Sequence, residues 1–345
     1  MSQHLQPSSA PPPATLIMNQ MVYGFWVSRC LQIAAELRLA DTIGDTPKTV
    51  EELATASGTH APSLARMLRL LSGVGVMVKD EQTQRWALTE MGALLRKDHP
   101  GSVHGSLMAH GHPLSWRAWG ELKTSLTTGK PVVEQLVGET FFEFLGSHPK
   151  DGAMFQESMV AYQLQNAPAV VNAYDFSTAR TICDVGGGTG ALLAHILQRH
   201  PAARGTIFET PLVTKEARAK LAEQGLTERC DAIEGDFFAS SPKGQDIYIL
   251  SQILHDWNDE NSLRILTQIR QAMRPDSRLL IVEAVLPGDN ANHFGNLYDM
   301  AMLILLGGKE RTEAEYKELV ARAGLRVSRI VPTSMPPSIV EVVPA

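Results

Sequence analysis

The glycine-rich stretch DVGGGTG, residues 184–190, decides the fold of this chain. It follows the apolar run TIC and precedes the helical pattern ALLAHILQRH, so a buried strand passes through glycines directly into a helix. Glycines allow a tight turn and let a ligand lie against the main chain, because no Cβ stands in the way. The amide groups at the start of the helix then face the bound group. Dinucleotide-binding proteins share such a turn, so by itself it leaves the ligand open.

Strand patterns alternate with helical patterns on the C-terminal side of residue 180. Strands are predicted at TICDVG, TIFE, AIEGD, DIYILS, LLIVEAVL, LRVSRIVP and IVEVV. Helical stretches such as ALLAHILQRH and NSLRILTQIRQAM lie between the first five of them. This alternation predicts an α/β domain over residues 171–345, with a doubly wound, mostly parallel seven-stranded sheet covered on both faces.

The N-terminal half is predicted to contain three segments. Residues 1–14 are polar and proline-rich, which is typical of a flexible tail. Residues 15–100 predict a mainly helical winged-helix domain, because a capping box at Thr49 and Glu52 begins one helix, SLARMLRLL forms the next, and VGVMVKDEQTQRWALT gives two short strands. Its apolar stripe over residues 16–39 is wide enough to face a partner subunit. Residues 101–170 predict a helical linker that lines the substrate site.

The composition limits the class of protein. Of 345 residues, 44% are hydrophobic and 20% are charged, which is typical of a soluble globular protein with a substantial core. The formal net charge is -6, and the second helix of the winged helix offers only Arg66 and Arg69 as cations, so nucleic-acid binding is disfavoured. The three widely spaced cysteines form no disulfide framework, and no signal peptide or membrane span is recognisable. We therefore expect a cytoplasmic protein.

Carboxylates at the ends of three consecutive strands indicate what the glycine turn binds. Asp184 stands on the strand before the glycines, Glu209 ends the second strand, and Asp236 ends the third strand, directly before Phe237. A carboxylate at the position of Glu209 can accept both hydroxyls of a ribose. Three acids would repel a pyrophosphate, which disfavours an NAD-linked dehydrogenase, but they suit a cofactor with positive charge and no phosphate. S-adenosylmethionine, with its ammonium, sulfonium, ribose and adenine, matches this arrangement.

A histidine at the end of the fourth strand is the candidate general base. His255, within LHDWNDE, lies at the carboxyl edge of the sheet, over the ligand crevice of an open α/β fold. Glu283 on the fifth strand and Glu310 in the loop GGKERT would flank it, hold one tautomer and stabilise the imidazolium. The histidines between residues 104 and 112 have no Cys, Asp or Glu among them, so we expect loop histidines there and no metal site.

Together these elements resemble the class I S-adenosylmethionine-dependent O-methyltransferases of the plant caffeate and flavonoid type, a family shared with bacterial natural-product enzymes. The matching motifs are DVGGGTG, FETP, GDFF, LHDWNDE, IVEAVLP and GGKERTEAEY, in the family's order. With the winged-helix region, the resemblance covers nearly the whole chain from about residue 15. It implies a Rossmann-like catalytic domain, S-adenosyl-L-methionine as cofactor, S-adenosyl-L-homocysteine as product, and no metal. It also implies a homodimer in which the N-terminal helices intertwine.

The resemblance further implies a role for each site residue. His255 would deprotonate a substrate hydroxyl, while Glu283 and Glu310 would orient and support it. The residues implied in cofactor binding are Asp184, Gly186, Gly188, Glu209, Asp236, Phe237, Ser251 and Trp257, with Glu209 on the ribose and Trp257 near the adenine. The residues implied in lining a substrate site between the domains are Met154, Phe155, Met159, Tyr162, Asn166, Asn296, Met300 and Leu303.

Two positions depart from the family's pattern. The acid on the ribose is commonly Asp, whereas Glu209 is one methylene longer. Plant members have a Lys four residues before the catalytic His that contacts the cofactor, and Ser251 stands at that position here, so a cofactor contact there is left open.

The expected reaction is methyl transfer to a phenolic or enolic hydroxyl of a small aromatic or polyketide-like secondary metabolite. N-methylation, and a relative diverted to other chemistry such as hydroxylation, are alternatives within the same fold. A third hypothesis is a transcriptional regulator that senses a ligand and binds DNA through its winged helix. The retained His255, Glu283 and Glu310 favour methyl transfer.

Overall fold

The computed structural model describes residues 13–289 and 291–345. The chain forms two compact units, which divide between Gly111 and His112. The predicted flexible tail lies outside the described residues up to position 12, and the first helix begins at Ala14. Among the described residues, no helix is long and apolar enough to cross a membrane.

The first unit contains the predicted winged helix. Its elements are α1 (Ala14–Glu36), α2 (Leu39–Ile43), α3 (Val50–Ser57), α4 (Ala61–Gly73), β1 (Met77–Lys79), β2 (Trp86–Leu88), α5 (Glu90–Ala93) and α6 (His104–Gly111). Strands β1 and β2 pair antiparallel, and Thr49 and Glu52 form the predicted capping box at the start of α3. The order helix, helix, hairpin is therefore confirmed.

Helix α1 leaves a broad apolar face uncovered within its own unit. Only Gln32, Ala34 and Ala35 of this helix are buried. Its large exposed apolar side chains are Leu16, Ile17, Met18, Met21, Val22, Tyr23, Phe25 and Trp26. Because a solvated helix has little reason to carry so many apolar groups, this face is a candidate protein–protein interface.

The second unit begins with five helices: α7 (Pro113–Gly120), α8 (Leu122–Thr128), α9 (Val133–Val137), α10 (Phe141–Ser147) and α11 (Pro149–Ala173). The prediction of loop histidines is wrong for His104 and His110, which lie in α6. His112 lies in the link between α6 and α7, where its Nδ1 accepts a hydrogen bond from Leu114 N. The C-terminal end of α11 packs into the core of the sheet through Ala167, Val170 and Val171. This helical stretch, which the sequence analysis separates from the sheet, thus shares its compact unit.

The sheet has the predicted seven strands. Its members are β3 (Thr181–Val185), β4 (Arg204–Glu209), β5 (Cys230–Glu234), β6 (Ile247–Ser251), β7 (Arg278–Glu283), β10 (Leu325–Val331) and β11 (Ser338–Pro344). Their order is β10-β11-β7-β6-β3-β4-β5. Strand β11 runs antiparallel to both of its neighbours, and the other adjacent pairs are parallel. A separate parallel pair joins β8 (Val285–Leu286) to β9 (Arg311–Thr312).

Helices cover both faces of this sheet. They are α12 (Ala191–Arg199), α13 (Pro211–Glu223), α14 (Asp259–Ala272) and α16 (Glu313–Arg322), whereas α15 (Gly295–Leu305) packs against α7, α8 and β8. Side chains alternate between the faces, so that in β6 Ile247 and Ile249 pack with α11, α12 and α13, whereas Tyr248 and Leu250 pack with α14 and α16. Strands buried on both faces read as continuous apolar runs, which is why the sequence revealed them.

The strand order reverses between β3 and β6. From β3 the chain proceeds outward through β4 and β5, and it then returns to the other side of β3 to form β6 and β7. In open α/β sheets, ligands bind outside the carboxyl ends of the strands at this point of reversal. The fold therefore places the glycine turn after β3 beside the histidine turn after β6.

Candidate active site

The glycine turn after β3 has a backbone that only glycine adopts readily. Gly186, Gly188 and Gly190 have φ values of 71°, 56° and 84°. The turn is also tight, because a Cβ on Gly186 would lie 2.6 Å from Ile253 Cδ1 and a Cβ on Gly190 would lie 2.4 Å from Ile207 Cδ1. A side chain at Gly186 or Gly190 would therefore clash with these isoleucines and displace the turn at the start of α12.

The three predicted acids end neighbouring strands. Asp184 lies on β3, Glu209 ends β4, and Asp236 follows β5 by two residues. The side chain of Asp184 is buried, and its Oδ1 has no hydrogen-bond partner among the described residues. Burial, and then the charge of Glu209, raise the pKa of Asp184 to about 7. An orphaned buried acceptor beside a second carboxylate fits a cationic, hydrogen-bond-donating ligand such as S-adenosylmethionine.

Aromatic side chains cluster on the β5 side of this edge. Phe237 lies edge-on to Trp257, with ring centroids 6.3 Å apart. Phe142 stacks on Trp257 at 5.7 Å with an interplanar angle of 27°. The sequence predicts Phe237 and Trp257 as cofactor residues but gives no signal for Phe142, because Trp257 lies more than 100 positions further along the chain.

His255 lies in a short 3-10 helix, Leu254–Asp256, that follows β6. Its Nδ1 is 2.7 Å from Glu310 Oε1, and both side chains are almost fully buried. The carboxylate accepts a hydrogen bond from Nδ1–H, so Nε2 is the ring nitrogen left to accept a proton. The predicted pairing of His255 with Glu310 is thus present in the structure.

A third acid, Asp256, also faces the imidazole. Its Oδ1 is 3.4 Å from His255 Nε2, a contact too long for a strong hydrogen bond. Burial alone would lower the pKa of His255, but nearby carboxylates, Asp256 and Glu310 foremost, outweigh it and raise the pKa to about 10. Burial raises the pKa of Asp256 to about 7, although His255 opposes the shift. Asp256 lies within the motif LHDWNDE, but nothing in the sequence indicated that it would face the imidazole.

Glu283 supports His255 through the backbone, whereas no hydrogen bond or ion pair between its carboxylate and the imidazole ring is found among the described residues. Its Oε1 accepts hydrogen bonds from the backbone N–H groups of Ile253 and His255, at 3.0 and 3.1 Å. Its Oε2 accepts from Tyr316 Oη at 2.5 Å. The carboxylate at the end of β7 therefore fixes the backbone of the histidine turn rather than the ring.

Arg311 holds the same turn from the other side, and the sequence analysis missed it. The side chain is fully buried, and its guanidinium donates to the carbonyls of Leu254 and Trp257, each at 3.0 Å. It also pairs with Asp259 at 2.9 Å. Arg311 follows Glu310 directly in the chain. Two adjacent residues therefore fix the histidine turn: Glu310 binds the imidazole of His255, and Arg311 binds the carbonyls of Leu254 and Trp257 on either side of it.

The predicted substrate residues divide between α11 and α15. Met154, Phe155, Met159, Tyr162, Met300 and Leu303 are partly buried. Tyr162 lies edge-on to Tyr298 of α15, with ring centroids 6.2 Å apart, so α11 and α15 meet at this pair of rings. Burial, Tyr298 and Glu310 raise the pKa of the Tyr162 hydroxyl. Tyr298 thus joins this group of side chains, although its sequence context gave no signal for it.

The two predicted asparagines differ in placement. Asn166 is buried, donates from Nδ2 to Tyr162 O at 2.7 Å, and has an Oδ1 without a partner among the described residues. Asn296 is exposed, and its Nδ2 donates to Ala291 O at 3.3 Å. The structure therefore brings Asn166, but not the side chain of Asn296, together with the other lining residues. No group of three or more His, Cys, Asp or Glu side chains is placed to hold a metal ion in the ranges that the structure describes.

Two sequence profiles match the chain. The profile of the O-methyltransferase domain covers residues 119–326, and that of the O-methyltransferase dimerisation domain covers residues 19–98. The first covers most of the second compact unit, with the site described above, and the second covers most of the first unit.

Curated and structural relatives match over nearly the full length. The phenazine O-methyltransferase PhzM of Lysobacter antibioticus is 42% identical over 332 residues, which cover 96% of this chain and 97% of that protein. The crystal structure of LaPhzM is 41% identical, with a TM-score of 0.92 over 97% of this chain and 100% of that one. The O-methyltransferase NcsB1 from neocarzinostatin biosynthesis, in complex with S-adenosylmethionine and 2-hydroxy-5-methyl naphthoic acid, is 33% identical, with a TM-score of 0.79 and all of both chains covered.

Some relatives carry names of other reactions. An 8-amino-8-demethylriboflavin N,N-dimethyltransferase of Streptomyces davaonensis is 35% identical over 89% of this chain and 88% of that protein. Aclacinomycin 10-hydroxylase RdmB of Streptomyces purpurascens is 35% identical over 86% of this chain and 81% of that protein. The acceptor and the reaction thus vary on this fold, so they have to be argued from the site.

Proposed function

The chain belongs to the family of S-adenosylmethionine-dependent O-methyltransferases with an N-terminal dimerisation domain, and from this premise we propose that it methylates a phenolic hydroxyl of a small aromatic or polyketide-like metabolite. His255 is the general base of the proposed reaction. The observation that carries the proposal is the buried contact of 2.7 Å between His255 Nδ1 and Glu310 Oε1, which leaves Nε2 to receive the proton of the acceptor.

The bound cofactor supplies a methyl group on a positively charged sulfonium, which is a strongly activated electrophile. The chain therefore has to align the reactants and remove one proton. The residues proposed to hold the cofactor are Asp184, Gly186, Gly188, Glu209, Asp236, Phe237, Ser251 and Trp257. The proposal rests on the glycine turn and on the orphaned acceptor of Asp184.

The basicity of His255 favours a phenol as the acceptor. An unperturbed phenol has a pKa of about 10, so its proton is within reach of a histidine base as the oxygen attacks. Although burial opposes it, the adjacent carboxylates, Asp256 foremost, raise the pKa of His255 and so stabilise the imidazolium that forms when Nε2 takes that proton. A positioned base contributes roughly 10²–10⁴-fold to such a reaction. An aliphatic alcohol is far less acidic and would need stronger activation than one imidazole offers.

The lining of the site supports a flat, largely apolar acceptor. Methionines and aromatic rings of α11 and α15 lie next to the catalytic acids, with Tyr162 and Tyr298 in edge-on contact. The relatives named above include a phenazine O-methyltransferase and a complex with a naphthoic acid. Phenazine and naphthoic acid are both fused aromatic ring systems.

We also propose that the protein acts as a homodimer through α1. Its exposed apolar face, including Met21, Phe25 and Trp26, supports this assignment, together with the match to a dimerisation domain.

N-methylation is the second candidate function, since one relative is an N,N-dimethyltransferase. A neutral aromatic amine needs little help from a base before it attacks, because its proton can leave after the methyl group has been transferred. The buried pair of His255 and Glu310 has a clear purpose only where a proton must be removed during the attack, so it favours an oxygen acceptor.

The proposal is tested by turnover of S-adenosylmethionine with a panel of phenols, hydroxynaphthoates, hydroxyphenazines and matching anilines. We expect product with a hydroxylated member and a loss of roughly 10²–10⁴-fold in kcat for His255→Ala. His60→Ala, an exposed histidine of the first unit, is the matched control and should keep full activity. Near-normal turnover of a phenol by His255→Ala would rule out the general-base assignment, and turnover of anilines alone would favour the second candidate.

A further inference from the structure

Helix α11 contacts the carboxyl edge of the sheet at Ser251, one of the residues proposed above to bind the cofactor. Gln163 Nε2 donates a hydrogen bond to Ser251 Oγ at 3.0 Å, although the two residues are 88 positions apart. Ser251 ends β6 and is buried, with 6% of its surface exposed. Since β6 is the neighbour of β3, Ser251 lies directly beside the strand that leads into the glycine turn.

The strand order decides which end of the cofactor Ser251 faces. This step rests on the proposed function, in which Glu209 of β4 holds the ribose and Asp236 after β5 lies near the adenine. Because the edge runs in the order β6, β3, β4, β5, the adenosine part occupies the β4 and β5 side. The amino-acid part must then extend the other way, over β3 and toward β6, where Ser251 lies.

The hydrogen-bonding capacity of Ser251 decides which group it can serve. A serine hydroxyl has one donor and can accept twice. Here the oxygen accepts from Gln163, and the hydroxyl proton is donated to none of the described residues. The amino-acid end of the cofactor carries a carboxylate, which accepts hydrogen bonds only, and an ammonium, which donates only. The free donor of Ser251 matches the carboxylate, whereas the orphaned acceptor of Asp184 matches the ammonium.

A second glutamine supports the position of the helix over this edge. Gln156 Nε2 lies 3.5 Å from the place where a Cβ on Gly188 would stand. Gln156 and Gln163 are seven positions apart, which is two turns of α11, so they project from one face of the helix. That face therefore lies over both the glycine turn and the end of β6.

We propose that Gln163 is a positioning residue for the cofactor, because it orients the Ser251 hydroxyl to donate to the carboxylate of the amino-acid end. In this role the neutral pair of Gln163 and Ser251 supplies the contact at the position where plant relatives of the family carry a lysine. Gln163 acts through Ser251, so its effect must disappear when the serine hydroxyl is absent and when the ligand has no carboxylate.

The test is calorimetric titration of the full-length protein with two ligands, S-adenosylhomocysteine and 5′-methylthioadenosine, which lacks the amino-acid part. We expect Gln163→Met and Ser251→Ala each to weaken the binding of S-adenosylhomocysteine about 10-fold, because each removes or misorients one hydrogen bond to a charged group. Both variants should bind 5′-methylthioadenosine within about twofold of the wild type. In the double variant, Gln163→Met should weaken the binding of S-adenosylhomocysteine by less than about twofold beyond the effect of Ser251→Ala alone. Gln198→Met, at an exposed position of α12, is the matched control and should leave both affinities unchanged.

Unchanged affinity of Gln163→Met for S-adenosylhomocysteine overturns the inference, and so does an equal loss for both ligands, because the effect is then not directed at the carboxylate. Fully additive losses in the double variant overturn the relay through Ser251. A wild-type protein that binds neither ligand overturns the proposed function itself, which separates that failure from the others. Retained binding of 5′-methylthioadenosine also establishes that each variant is folded.

Discussion

His255 Nδ1 lies 2.7 Å from Glu310 Oε1 in a buried contact between residues that are 55 positions apart in the chain. Glu310 precedes β9, which pairs with β8 just beyond the end of β7, and His255 follows β6. The contact thus joins two loops at the same edge of the sheet. Since a buried carboxylate stabilises an adjacent imidazolium, this pair sets both the tautomer and the basicity of the proposed base.

Glu310→Gln should move the pH dependence of methyl transfer. The Glu310 carboxylate is one of the groups that raise the pKa of His255 to about 10. Without its charge, that pKa falls, so the rise of kcat with pH should occur at lower pH than in the wild type. The maximal rate should also fall about tenfold or more, because the base is weaker and less firmly oriented. The measurement is kcat against pH, with Glu318→Gln, an exposed residue of α16, as control. An unshifted profile would show that Glu310 does not set the basicity of His255.

Arg311→Lys should reduce kcat at least tenfold and leave the affinity for S-adenosylhomocysteine unchanged. Lysine keeps the charge, but one ammonium cannot reach both the Leu254 and the Trp257 carbonyl as the guanidinium does. A buried acceptor left without a partner also costs about 1–3 kcal/mol of stability, so the unfolding of the variant should be measured alongside.

The matched control for Arg311 is Lys309→Ala. Lys309 pairs with Asp259 and Glu315 at 3.2 Å but is partly exposed, and such surface pairs contribute about 0–1 kcal/mol. Its activity should stay near that of the wild type. If Arg311→Lys lost stability but kept its kcat, Arg311 would serve the fold alone.

Glu209→Gln should weaken the binding of S-adenosylhomocysteine by about 10-fold or more while the protein stays folded. The substitution keeps the shape and the hydrogen bond that Oε1 accepts from Thr210 N at 2.8 Å, but it removes the charge proposed to hold the ribose hydroxyls. Glu234→Gln is the matched control, since Glu234 is the register partner of Glu209 on β5 and its side chain is exposed. Equal affinities of the two variants, measured by calorimetry, would remove Glu209 from the cofactor site.

Trp26→Glu combined with Met21→Glu should convert a dimer into a monomer. Both side chains are more than half exposed on α1, at 52% and 69%, so the folded unit does not need them for its own core. The measurement is molar mass by light scattering after size-exclusion chromatography. Val78→Glu, an equally exposed apolar position on β1, should leave the mass unchanged. A monomeric wild-type protein would contradict the assignment of α1 as the interface.

Much of the secondary structure could be predicted because its causes are local. The apolar runs of the seven strands, the capping box at Thr49 and Glu52, and the glycine turn each depend on neighbours along the chain. The exceptions depended on distant parts of the chain. His104 and His110 proved to be helical, and α11 joined the core of the sheet, because packing against other elements decided both.

The sequence by itself determined which residue types stand at the carboxyl ends of the strands. The apolar run of each strand, the polar residue at its end and the glycines of the turn are neighbours along the chain. It thereby determined the cofactor class and named His255, Glu283 and Glu310 together. Only the tertiary structure decided their division of labour: Glu310 holds the ring, Glu283 holds the backbone, and Arg311 fixes the turn. Likewise, only the packing of α11 brought Gln163 to Ser251. Hydrogen bonds act over about 3 Å, so contacts between residues 28 to 88 positions apart follow from how the elements pack and not from their spacing in sequence.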